Sequence, residues 1–190
     1  TEQSIALIRN AKAKGVKITA ETAPHYFTLT EKAVLGFNTN AKMNPPLRTE
    51  SDRQAVRGAF RDGTLDAIAT DHAPHSVLEK EVEFNYAANG IAGLETSLPL
   101  GLALVREKVI EPARLVELMS CGPAKILGVP GGSLHVGAVA DITIVDPERK
   151  FTFIAEECFS KGKNSPFDGW KLQGKAVLSM VAGRITFKDF

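Results

Sequence analysis

Asp71, His72 and His75 stand together at the end of a short apolar run, residues 65–70, in a chain that holds only four histidines. A carboxylate is a hard oxygen donor that can ligate a metal ion or shuttle a proton. Pro74 stiffens the turn between them, so His75 is held at a fixed remove from Asp71. Buried strands of parallel sheets read as near-continuous apolar runs, and α/β folds gather ligand-binding groups at the carboxyl ends of such strands. The spacing alone fits equally a strand end capped by an Asp, with two surface histidines beside it.

The elements that would position these residues follow from periodicity and breakers. Residues 2–14 have helical spacing, and Gly15 stops them. Residues 16–22 alternate, are rich in β-branched side chains and predict a strand running into Ala23-Pro24-His25. After a helical turn at 30–35, residues 40–44 predict a short strand closed by Pro45 and Pro46. Thr49 or Ser51 can cap a helix that runs to Gly63. This βαβα alternation implies a parallel sheet with outer helices, with Asn44 and Asp71 at equivalent strand ends facing one mouth. Residues 79–88 are charged and aperiodic and predict a loop over that mouth, ended by the turn signal Asn89-Gly90. Helices are expected at 94–105 and 112–127, the second with Leu115, Leu118, Met119 and Ile126 as a core stripe. From 131 onward the chain predicts short strands at 140–145, 151–153, 176–181 and 184–187, with His135 and Trp170 packed among them.

Composition narrows the classes of function. A formal charge of +1 over 190 residues gives no electrostatic pull toward nucleic acid or membrane. No apolar run approaches the roughly 20 residues of a spanning helix. Cys121 and Cys158 have no CxxC spacing, so neither a zinc knuckle nor a disulfide framework is implied, and a cytoplasmic setting is the default expectation.

Four motifs occur in a fixed order: Lys42-Met43-Asn44-Pro45-Pro46-Leu47-Arg48, Thr70-Asp71-His72-Ala73-Pro74-His75, Gly90-Ile91-Ala92-Gly93-Leu94-Glu95-Thr96 and Ser160-Lys161-Gly162-Lys163-Asn164-Ser165-Pro166-Phe167. Together they resemble dihydroorotases of the amidohydrolase superfamily. The resemblance implies an α/β fold. Residues 1–130 would be the C-terminal part of a TIM-like (β/α)8 barrel, and residues 131–190 part of a small β-sandwich domain. It implies the zinc-dependent, reversible cyclisation of N-carbamoyl-L-aspartate to L-dihydroorotate in pyrimidine synthesis. By the same resemblance Asp71 is both a metal ligand and the general base and acid. Asn44, His75, Asn89 and Gly90 hold the substrate, and the intact site carries two zinc ions. His25 matches a position where sister amidases carry Gln, so it is expected to shape the rim by hydrogen bonding rather than to ligate. His72 is expected to hydrogen-bond structure.

The family's His-x-His motif, bridging carboxylate and two further metal-binding histidines do not occur in the sequence. It therefore reads as a C-terminal piece of a longer protein, inactive alone. The expected partners are the small-molecule substrate, a second copy of the protein and aspartate carbamoyltransferase. Two other readings stay open. A sister cyclic amidase of the hydantoinase or allantoinase type shares Pro-Pro-Leu-Arg and the Asp-His pair. Such amidases usually have a Ser and a non-histidine where Asn44 and His75 stand. A non-catalytic assembly subunit should lack the metal-site carboxylate, and Asp71 is present.

Overall fold

Two short parallel strands set the geometry of the first part of the chain. In the computed structural model, which describes residues 1–190, β1 (Glu21–Thr22) pairs with β2 (Ala67–Ile68), Glu21 opposite Ala67 and Thr22 opposite Ile68. Backbone bonds from Asp66 N–H to the Ala20 carbonyl (2.8 Å) and from Ala69 N–H to the Thr22 carbonyl (3.0 Å) extend the pairing at both ends. The Asp66 carboxylate fixes the register, accepting from Ala20 N–H at 2.8 Å and from Lys12 Nζ at 2.6 Å. Beyond this pair, residues 16–20 form no strand, and Val16 and Ile18 are exposed. Branched side chains favour a pleated surface but cannot supply the neighbouring strand.

Helices cover the pair. Helix α1 (Glu2–Ala13) is capped by Thr1, whose hydroxyl accepts from Ser4 N–H, and buries Ile5. Helix α2 (Pro24–Thr28) starts on a proline, which costs no hydrogen bond at that position. Helix α3 (Glu50–Arg61) begins at Thr49, whose hydroxyl accepts from Asp52 N–H. Its buried Val56, Ala59 and Phe60 lie one turn apart and face the core. Phe60 meets Phe27 edge-on, ring centroids 5.5 Å apart, and both rings are almost fully enclosed.

Where a strand was expected at 40–44, the chain forms a single 3-10 turn, Thr39–Ala41. The Asn38 side chain accepts from Asn40 N–H, and such local bonds compete with a sheet ladder. Asn44 therefore sits on an irregular segment, not at a strand end. Residues 79–88 are not all loop either. Ser76 and Glu79 close a capping box that starts helix α4 (Val77–Lys80).

Helix α5 (Ser97–Arg106) buries Leu100 and Leu104. Residues 112–127 continue as α6 (Pro112–Val116), a π turn (Glu117–Cys121) and α7 (Gly122–Leu127). Leu115 and Leu118 are core, as their spacing predicts, whereas Ile126 is exposed on α7. A separate antiparallel sheet follows, in the order β3 (Ile142–Thr152), β4 (Lys171–Val181), β5 (Arg184–Lys188). The strands expected at 140–145 and 151–153 are one strand. Its register breaks between Asp146 and Lys150, where the Asp146 carboxylate accepts from Glu148 and Arg149 N–H. The sheet packs on α5, where β4 passes so close that a Cβ on Gly174 would lie 2.3 Å from Leu102. Trp170 packs edge-on against Phe167, as expected. His135 does not pack: it is exposed and its ring bonds only to Ser133. No helix is long and apolar enough to cross a membrane.

Candidate active site

Because β1 and β2 run parallel, the segments that leave their carboxyl ends emerge side by side. One carries His25, the other Asp71. Asp71 adopts a left-handed backbone, φ 48°, a conformation that non-glycine residues hold mainly where the surroundings impose it. Its carboxylate is 58% exposed and accepts no hydrogen bond from the chain. His25 Nε2 lies 3.9 Å from that carboxylate, too far for a hydrogen bond. The His25 ring is buried, and neither nitrogen has a partner, so the expectation of a hydrogen-bonding rim histidine is not met. Burial lowers its pKa to about 4, against a smaller upward pull from Asp71. The ring is neutral near pH 7.

Next to it, Tyr26 donates from its hydroxyl to the Pro45 carbonyl at 2.7 Å and so ties the Asn44–Pro45 segment to the same rim. The Asn44 side chain is exposed and makes no hydrogen bond within the chain. Two residues back, the Lys42 carbonyl accepts from Gly90 N–H at 2.9 Å. Lys42 Nζ donates to the carbonyls of Asn85 and Ala87.

Beyond β2, the chain continues into His72, which forms a parallel bridge with Ile91, and Ala73 N–H donates to the Ile91 carbonyl at 2.8 Å. His72 Nδ1 accepts from Leu94 N–H at 3.2 Å, a structural bond as expected. His75 turns toward the Asn89–Gly90 turn: its Nε2 lies 2.9 Å from the Asn89 carbonyl and must be the donor, since a carbonyl only accepts. Its Nδ1 is 3.5 Å from the Glu79 carboxylate. Gly90 has φ 119°, and a Cβ there would meet the Ala73 Cβ at 2.5 Å. Glycine is required on both counts.

Tyr26, Lys42 and the Ala73–Ile91 ladder thus connect the segments that carry Asn44, Asp71, His75, Asn89 and Gly90. Within the set the one side-chain hydrogen bond is from His75 Nε2 to the Asn89 carbonyl. Two features lay outside the expected set. Lys80 is buried, donating to the carbonyls of Ala88 and Gly90 at 2.7 and 3.1 Å. Asn164 bonds to both the His75 and the Gly90 segments. A buried lysine in a charged run has no sequence signature. Asn164 lay inside a recognised motif whose role the residues alone did not give.

The family model for the amidohydrolase family matches residues 3–186. The chain belongs to the amidohydrolase family. It is 65% identical over 185 residues to a dihydroorotase of Desulfotalea psychrophila, covering 97% of this chain and 44% of that protein. It is 58% identical over 188 residues to a dihydroorotase of Geobacter metallireducens, covering 99% and 44%. Among solved structures it resembles an L-hydantoinase (dihydropyrimidinase) from Arthrobacter aurescens, with TM-score 0.93 and 32% identity, covering 99% of this chain and 43% of that one. A D-hydantoinase (dihydropyrimidinase) from a Thermus species gives TM-score 0.85 at 26% identity, covering 97% and 42%. This amidohydrolase chain therefore spans under half the length of the relatives it matches. Asp71 fits one oxygen ligand of a metal ion, since its carboxylate is open and unbonded. No three His, Cys, Asp or Glu side chains group closely enough to hold an ion by themselves.

Proposed function

We propose that the amidohydrolase to which these residues belong is a dihydroorotase, interconverting N-carbamoyl-L-aspartate and L-dihydroorotate with zinc. The observation that carries this reading is the 65% identity to a dihydroorotase across nearly the whole chain, about twice the identity to the structurally similar hydantoinase. The finer architecture goes with it. Residues 1–130 are read as the C-terminal part of a (β/α)8 barrel and 131–190 as strands of a β-sandwich. The parallel β1–β2 pair under helices and the separate antiparallel sheet support that division.

In the proposed reaction Asp71 is the residue that moves protons. It accepts one from the attacking water and returns it to the ring nitrogen as the amide C–N bond breaks. Bound zinc supplies a lowered water pKa and a polarised carbonyl. Asp71 offers it one ligand, and the other two or three it needs come from the remainder of the protein. Asn44 and the Asn89–Gly90 arm hydrogen-bond the substrate. His75 passes its Nε2–H from the Asn89 carbonyl to the substrate carboxylate, exchanging a neutral acceptor for a charged one.

The test is an assay of the intact zinc-loaded protein with dihydroorotate and, separately, with hydantoin. Turnover of dihydroorotate with none of hydantoin is expected. The opposite pattern would favour the second reading, a hydantoinase, which the TM-score of 0.93 recommends.

A further inference from the structure

Three segments distant in sequence, those of Asn44, Asp71–His75 and Asn89–Gly90, must keep a fixed spacing for the proposed site to work, and one buried side chain touches two of them. We propose that Asn164 is a positioning residue, a bracket that holds the His75 arm and the Gly90 arm of the substrate cradle in register. The inference rests on the functional reading above for the substrate and for the roles of the His75 and Gly90 arms in holding it.

Asn164 is 5% exposed and uses both ends of its amide. Its Oδ1 accepts from His75 N–H at 2.8 Å. Its Nδ2 donates to the Ala73 carbonyl and to the Gly90 carbonyl, each at 3.1 Å. The partners fix the amide orientation, because two carbonyls require the NH2 group and an N–H requires the oxygen. Its own backbone carbonyl accepts from Ala92 N–H at 2.9 Å, just past the second arm. No other residue type of this size offers one acceptor and two donors in a plane. Asp would turn an oxygen toward two carbonyl oxygens, and an apolar residue would leave the His75 N–H and the Ala73 carbonyl unpaired and the Gly90 carbonyl with Lys80 alone.

The segment that carries Asn164 is held for this task. Gly162 passes so close to the first arm that a Cβ would lie 2.7 Å from both His75 N and Pro74 Cβ. Lys163 Nζ donates to the carbonyls of Glu156 and Cys158, and Phe167, three residues after Asn164, is fully enclosed. The Gly90 carbonyl also accepts from Lys80, so the second arm is gripped from two sides. Asn164 makes no bond to Asp71. Its loss should therefore spread the substrate arms without disturbing the metal ligand.

The experiment compares the intact protein with Asn164→Asp and Gly162→Ala, the second approaching the same contact from the His75 side. KM and kcat for dihydroorotate, zinc content, and amide hydrogen exchange at Ala73, His75 and residues 90–92 are read for each. We expect KM to rise roughly tenfold or more, as lost hydrogen bonds and misplaced groups predict. Zinc content should stay at the wild-type level, and exchange should speed up at both arms but not in α1. If KM stays within twofold in both variants, or if exchange rises uniformly, Asn164 is only a structural residue and the proposal falls. A wild-type protein that does not turn over dihydroorotate would remove the substrate assignment. The exchange pattern would still decide whether Asn164 brackets the two arms.

Discussion

His25 Nε2 approaches the Asp71 carboxylate to 3.9 Å, from a buried ring that has no hydrogen-bond partner at either nitrogen. Unpaired buried polar atoms are rare and costly, so the fold retains His25 against its own stability. Replacing an unsatisfied polar group by an apolar one of similar size is nearly neutral or stabilising. In the intact protein His25→Leu should keep or slightly raise the thermal midpoint while lowering kcat/KM. His25→Gln, which retains a donor, should recover part of the activity. Wild-type activity in His25→Leu would show that the approach to Asp71 is incidental.

Asp71 and His75 should separate by what they lose. Asp71→Ala removes the proposed proton carrier and metal ligand, so turnover should vanish at any substrate concentration and zinc content should fall. His75→Ala removes a donor worth about 1.5–3 kcal/mol to a carboxylate. It also frees the Asn89 carbonyl, which His75 now holds. We expect a KM increase of roughly ten- to a hundredfold with near-normal zinc. Equal zinc loss in the two variants, measured by metal analysis, would make His75 a ligand.

The legible parts of this chain were those decided by local chemistry. Thr49 before α3, Gly15 after α1 and the turn at Asn89-Gly90 announce themselves because caps and positive φ admit few residue types. The helix at 77–80 was equally readable, since Ser76 and Glu79 have capping-box spacing, but the charge of the following residues obscured it. What could not be read was decided by partners. Residues 16–19 have strand propensity and no partner strand, whereas at 40–44 the Asn38 side chain takes the Asn40 N–H. The site shows the same division. Asp71 and His75 are conspicuous in a short motif, but the grip of Asn164 on His75 spans 89 positions and exists only in the fold.

Zinc binding should depend on more than these 190 residues. A zinc site takes three or four protein ligands. The chain brings an open carboxylate at Asp71 and no cluster that could complete it. The 190-residue polypeptide, dialysed against zinc and then against buffer, should retain no stoichiometric metal and show no turnover. An anomalous signal at Asp71 in this polypeptide would contradict the ligand count.

Lys80 gives a pH dependence whose sign can be stated. Burial, and then the like charge of Lys42, lowers its pKa from 10.5 to about 8. Below pH 8 both folded and unfolded chains carry the proton, and the cost of burying the charge is fully present. Between pH 8 and 10.5 the unfolded chain still holds the proton that the folded chain has released. Stability therefore rises with pH across that window. Tyr26 opposes it at the upper end. Burial, with Asp71 adding to it, raises the Tyr26 pKa to about 12, so above pH 10 the folded chain keeps a proton that the unfolded chain loses. The clean interval is pH 8 to 10. Lys80→Met abolishes the titration and also the two bonds to the Ala88 and Gly90 carbonyls. Its stability should thus rise less with pH over this interval than that of the wild type. Denaturant midpoints at pH 8, 9 and 10 for both proteins provide the comparison, and parallel curves would mean that Lys80 keeps an ordinary pKa.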